Sequence, residues 1–213
     1  MTGWVTAAKG DQITAAAIQD VKDTLSGAPN SGTPIVLLHG MGSSSKTWRQ
    51  ITPELSRHFR VLQIDLPGHG ESSYARTESM APHAISQRII ETLDELHIDK
   101  FHLVGNSLGG WIALDLAAEH SERVMSVTAL APAGLWLVPA NRRLPIGSFA
   151  RNLAKATHPI APYFINFEWA RKLGFYNVSP KWRDIPSQTL LDAITAMAKS
   201  PGYFPAWDSL LSL

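Results

Sequence analysis

The 213-residue sequence contains no cysteine. That excludes a disulfide framework, a thiolate metal site and a cysteine nucleophile, and it leaves the redox compartment open. An excess of charge of one sign is also missing. Nineteen Lys and Arg stand against eighteen Asp and Glu, a net charge of +1, which provides no electrostatic footprint for nucleic acid. Long apolar runs are absent as well: the longest, Val127–Ala140, has 14 residues and is broken by Pro132 and Pro139, too short to span a bilayer. The opening residues MTGWVTAAKGDQITAAA carry no basic segment followed by an apolar one, so no secretory signal is expected and a cytoplasmic location is.

What is present is ordinary for one globular domain, with 45% hydrophobic and 17% charged residues and enough length to bury a core unaided. WVTAA and QITAAAIQ, around the turn KGD, suggest a short N-terminal hairpin. Four apolar runs bounded by Gly or Pro then read as buried parallel strands: PIVLLHG (34–40), RVLQIDLPG (60–68), KFHLVGNS (100–107) and RVMSVTALAP (123–132). Helical segments separate them. In the third, Ile85, Ile89, Leu93 and Leu96 fall on one face at spacings of four, four and three. Alternating strands and helices predict an α/β domain with a mostly parallel sheet and helices on both faces.

The character changes after Gly134. Residues 135–213 hold 12 of the 18 aromatics and nine Lys or Arg against four Asp or Glu, a local charge of +5. Helical stretches alternate there with proline-rich breaks. The expected division is a core over 1–134 and a helical lid over 135–213.

The stretch IVLLHGMGSSSKTW (35–48) admits two chemistries. From Gly40 it reads G-x-x-x-x-S-K-T, one letter from the phosphate-binding P-loop, and position 45 is Ser where that loop requires Gly. From His39 it reads H-G-x-G, a backbone turn suited to holding an oxyanion. The segment VGNSLGG (104–110) bears on the choice, because it is G-x-S-x-G between a strand and a helix. A nucleophile on so sharp a turn needs small residues two positions away on each side, here Gly105 and Gly109. The turn then projects the Ser107 hydroxyl, and the Leu108 N–H at the helix start faces an incoming carbonyl oxygen.

HGMG (39–42), DLPGHGES (65–72) and GNSLGG (105–110), in that order, resemble the α/β-hydrolase superfamily. The resemblance covers roughly residues 34–134 and is compositional beyond. It implies Ser107 as nucleophile, the Met41 and Leu108 amides as oxyanion donors, and His39, Gly40, Gly105, Asn106 and Gly109 as the motif residues supporting them. Asp65 and His69 are expected to hold the loop after their strand. Neither cofactor nor metal is implied, and Ser107 sets the chain apart from dehalogenase and epoxide-hydrolase relatives, which use Asp there. The context of Asn106 and ALAPAGL looks closest to carboxylesterases and hydrolases of C–C bonds in aromatic ring-cleavage products.

The same resemblance implies an acid and then a histidine on two strands after the lid, and neither strand is found in the 213 residues. Of the histidines after Ser107, His120 ends the helix that Ser107 begins, roughly 18–20 Å away. His158 lies in the lid. His102 is roughly 16 Å back along its own strand. The expectation is therefore a hydrolase lacking its last two strands, weak or inactive as it stands, with RVMSVTAL as a bare apolar sheet edge. The alternative is a non-catalytic hydrolase-like binding or regulatory protein. The expected substrate is a small apolar or aromatic molecule in a pocket lined by Trp136, Phe164 and Trp169. It would carry a carboxylate if one of Arg142, Arg143, Arg171, Lys172, Lys181 or Arg183 faces that pocket.

Overall fold

The computed structural model describes residues 19–20, 32–75, 77–135 and 145–211. The N-terminal hairpin expectation lies outside them except for Gln19, which is described together with Asp20. Those form β1 (Gln19–Asp20), followed by β2 (Pro34–Leu38), β3 (Arg60–Ile64), β4 (Phe101–Asn106) and β5 (Val124–Leu130). The sheet order is β1-β3-β2-β4-β5, with β3, β2, β4 and β5 parallel and β1 antiparallel to β3.

That order follows from the hydrophobic pattern. PIVLL and RVLQI are buried almost throughout, as strands with cover on both faces must be. One face meets α2 (Pro82–Glu95) and α3 (Leu108–Glu119), where Ile85, Ile89, Leu93, Ile112 and Leu116 pack with Val36, Leu38, Leu62, Phe101 and Leu103. The spacing that marked α2 in the sequence is thus the face it buries. Pro82 supplies a preset φ at its first turn. The other face is smaller: Ile35, Leu37 and Val61 meet Trp48 of a 3-10 turn (Ser45–Trp48) and Leu55 of α1 (Thr52–Leu55).

The chain leaves β2 in one direction to reach β3 and returns to the other side of β2 for β4. Connections diverge at that point and leave a crevice at the carboxyl ends of β2 and β4, where open α/β sheets place their sites. Leu38 pairs with Gly105 in register there, so the turn after β2 and the turn after β4 emerge side by side.

β5 departs from expectation in burial, though not in pairing. It runs parallel to β4 from Phe101↔Val124 to Asn106↔Leu130. Its side chains were expected to be buried, yet Met125 is 53% and Leu130 44% exposed. No described strand pairs with its outer edge, and although Val124 packs against the main core, the apolar pattern of a central strand stands at the margin of the sheet. The bare edge itself accords with the strand order that the sequence implied.

Described residues after 144 are entirely helical or irregular: α4 (Pro145–Thr157), α5 (Ala161–Phe164), α6 (Glu168–Phe175), α7 (Ser187–Lys199) and α8 (Tyr203–Leu211). Ala206 and Leu210 of α8 enter the main core, and the Gly202 N–H donates to the Gly68 carbonyl at 3.0 Å. This anchors the segment above the ends of β2 and β3. No described helix is long and apolar enough to cross a membrane.

Candidate active site

Ser107 sits between β4 and α3 with φ of 53° and ψ of −112°. A residue with a Cβ adopts this conformation only under constraint, at a cost on the order of 1–3 kcal/mol. The constraint is visible in the backbone. The Ser107 N–H donates to the Leu130 carbonyl at 2.9 Å, while the Ser107 carbonyl accepts from Ala133 at 2.9 Å and Trp111 at 3.1 Å. Four elements therefore grip one residue: β4, α3, the end of β5 and the loop beyond it.

Glycine is required on both sides. A Cβ on Gly105 would strike the Gly109 carbonyl, and one on Gly109 would strike the Leu38 carbonyl. Gly109 so lets α3 descend onto the end of β2. Gly40 lies on the other flank, where a Cβ would stand 3.2 Å from the Ser107 Cβ and 3.3 Å from the Asn106 amide nitrogen. The turn after β2 thus touches the nucleophile candidate.

That turn is closed by the Ser43 N–H donating to the Gly40 carbonyl at 3.1 Å, with Gly42 at φ 70° as its third residue, the arrangement of a type II turn. The closing bond leaves the Met41 N–H unused by the turn. Leu108 begins α3 and is fully buried, and the first N–H groups of a helix have no partner within it. The Met41 and Leu108 amides therefore lie in the two turns that meet where Gly40 approaches Ser107.

His39 supports the turn as a neutral ring. Its Nδ1 contacts the Gly40 carbonyl at 2.7 Å, and its Nε2 accepts from the Leu66 N–H at 3.0 Å. Nδ1 must then carry the hydrogen. Complete burial lowers its pKa to about 4, the Gly40 bond opposing the shift. The 3.8 Å approach of Asp65 to Nε2 is accordingly no ion pair.

Asp65 spends both oxygens on backbone, accepting from Ser45 N–H at 2.6 Å and Glu71 N–H at 3.0 Å. This removes the nucleotide reading of G-x-x-x-x-S-K-T. The amide that would meet a phosphate already meets a carboxylate, and only a 3-10 turn of four residues follows. Lys46 lies half-exposed, 4.0 Å from Glu71. His69 binds the Pro67 carbonyl through Nδ1 at 2.9 Å. Burial first, then the neighbouring His39, lowers its pKa to about 3.

Among the described residues, neither histidine nor carboxylate hydrogen-bonds to Ser107. His102 is held by the Ser126 hydroxyl at 2.7 Å, and His120 caps the far end of α3.

The basic candidates divide. Arg171 donates to the Arg183 and Ile185 carbonyls at 2.7 and 2.6 Å, so it folds its own segment. Arg183 pairs with Glu168 at 2.8 Å and stacks on Trp182. Arg142, Arg143 and Trp136 lie outside the described residues. Phe164 and Trp169 are partly exposed and contact each other, with ring centroids 6.0 Å apart. Sequence reasoning missed Arg151. It is 5% exposed, donates to the Met197 carbonyl at 2.8 Å and lies 5.3 Å from the centroids of Tyr203 and Phe204. Burial lowers the pKa of the Arg151 guanidinium and raises that of the Tyr203 phenol. A Cβ on Gly42 would touch Tyr203 and Met197, which places Arg151 behind the side chains that abut the turn. Nothing in its helical context distinguishes it from a surface arginine.

A cavity of about 290 Å³ lies nearby, bordered by Lys46, Asp65, Glu71, Asp192 and Lys199. Ser107 does not line it, and its charged rim differs from the apolar pocket expected.

Residues 33–213 match the family model described as alpha/beta hydrolase fold. One relative is the dihydrolipoyllysine-residue acetyltransferase component of the acetoin cleaving system of Pseudomonas putida, 41% identical over 49% of this chain and 28% of that protein. Another is 2-hydroxymuconate semialdehyde hydrolase of Pseudomonas sp. strain CF600, 36% identical over 49% of this chain and 38% of the relative. Pimeloyl-[acyl-carrier protein] methyl ester esterase of Aeromonas hydrophila is 37% identical over 47% and 38%. The chain thus spans less than two fifths of these relatives' lengths. Because the family model covers well over half of it, the chain belongs to the α/β-hydrolase fold family.

Proposed function

We propose that this chain carries the nucleophile and oxyanion half of a serine hydrolase acting on a carboxylic ester or on a C–C bond next to a carbonyl. The carrying observation is Ser107 held at φ 53° with the Gly40–Ser43 turn against its Cβ. The Ser107 Oγ attacks the carbonyl carbon while the Met41 and Leu108 amides take the developing negative charge. The leaving group departs, and water cleaves the acyl-enzyme. Relatives named as a semialdehyde hydrolase and a methyl ester esterase support both bond types.

Such a step needs a base to accept the Ser107 proton and an acid to orient that base. Among the described residues neither group is a hydrogen-bond partner of Ser107, and in this reading the helical segment 135–213 acts as a lid over the site. A lid cation that faces the site favours a carboxylate-bearing substrate.

Fluorophosphonate labelling with mass-spectrometric mapping tests the reading. Slow modification of Ser107, abolished by Ser107→Ala and indifferent to His158→Ala, is expected. On p-nitrophenyl acyl esters the 213-residue chain is expected to reach at most roughly 10³–10⁴ over water, the level that an oxyanion site alone sustains. An unlabelled Ser107 after prolonged exposure would favour the non-catalytic alternative. Fast turnover lost on His158→Ala would place the base in the helical segment.

A further inference from the structure

On the outer surface of α2 and α3, one imidazole and two carboxylates converge. His83 is the second residue of α2, and Asp115 and Glu119 lie one turn apart on α3. His83 Nδ1 is 3.0 Å from Glu119 Oε2 and 3.8 Å from Asp115 Oδ2. One donor atom from each residue lies within 4.8 Å of the others. We propose that these three side chains form a binding site for a divalent transition-metal ion of the zinc type, bridging α2 and α3.

Geometry supports this first. A tetrahedral zinc ion with bonds of about 2.1 Å holds its ligand atoms about 3.4 Å apart, and the two separations from His83, 3.0 and 3.8 Å, bracket that value. Closing the widest gap requires a rotation of Glu119, which is partly exposed and bound to Gln87 Nε2 at 3.3 Å. Water completes the coordination on the open side.

The second observation is the state of Asp115. The side chain is 22% exposed, but its Oδ2 atom is shielded from solvent and makes no hydrogen bond, and 3.8 Å to His83 is beyond hydrogen-bond reach. A buried carboxylate oxygen without a donor is destabilising. A cation between Asp115, Glu119 and His83 satisfies it and neutralises two like charges on adjacent turns of α3. The donor set decides the class of ion. Imidazole nitrogen suits zinc and its neighbours, whereas magnesium and calcium take oxygen ligands almost exclusively. Such an ion ties the first turn of α2 to the last turns of the helix that starts after Ser107. Its role is structural, and the inference stands whether or not Ser107 is a nucleophile.

The test uses the 213-residue chain, stripped with chelator and titrated calorimetrically with zinc chloride, because seven other histidines could bind the ion adventitiously. One ion per chain and a raised thermal midpoint are expected. His83→Ala and Asp115→Asn should each weaken binding at least tenfold, with the midpoint of the metal-free protein little changed. Glu119→Gln, at a partly exposed position, serves as the variant least able to perturb folding and should weaken binding as well. A hundredfold excess of magnesium should not displace the zinc. Stoichiometric binding that survives His83→Ala and Glu119→Gln, or no saturable binding at all, would overturn the proposal.

Discussion

The Leu66 backbone N–H donates to Nε2 of His39 at 3.0 Å, and this bond decides what His39 can do. The ring nitrogen facing β3 is an acceptor, so the ring is neutral and serves to hold the Gly40 turn. His69, 5.5 Å away between ring centroids, is neutral for the same reason of burial. The ring nitrogens that bond do so with backbone groups, and neither ring hydrogen-bonds to Ser107.

Two histidines with depressed pKa make stability depend on acid. Unfolded, each titrates near 6.5; folded, they titrate at about 4 and about 3. Between those values the unfolded chain binds more protons, so stability is complete above pH 6.5 and declines as pH falls through the window below it. The loss is expected on the order of 3 kcal/mol per histidine by pH 4. Urea midpoints at pH 7.5, 6 and 5 measure it, and a midpoint unchanged from 7.5 to 5 would contradict the assignment.

Ser107 stores backbone strain whatever its chemistry. Replacing it with Ala keeps the Cβ and the strain, whereas Ser107→Gly removes both. The glycine variant is expected to be more stable than the alanine variant by about 0.5–2 kcal/mol, the relief of strain being partly offset by the added freedom of the unfolded chain. Chemical denaturation of the pair reads the difference. Equal midpoints would mean that the elbow is relaxed in solution.

Asp65 joins two loops through backbone amides, from Ser45 and Glu71. Asp65→Asn turns one acceptor into a donor facing an N–H. The substitution is expected to cost about 1–3 kcal/mol and to speed hydrogen exchange at Ser45 or Glu71. Unchanged exchange at both amides would show that another group holds these loops.

The sequence by itself determined the chemistry-bearing turns, because each depends on residue type at fixed spacing. Only glycine fits at 105 and 109, and only a residue under constraint occupies position 107 between them. The strands and α2 were legible for the same reason, since their apolar periods are local. The tertiary structure decided what periodicity cannot express. It showed that Met125 and Leu130 of Val124–Leu130 are exposed, because neighbours set the burial of a strand and its own letters do not. It assigned Asp65 to the Ser45 amide and so ended the P-loop reading, a contact across 20 residues. It buried Arg151 under Tyr203 and Phe204, and it brought His83 of one helix against Asp115 and Glu119 of another. In each case the partner comes from a distant segment, and packing alone selects it.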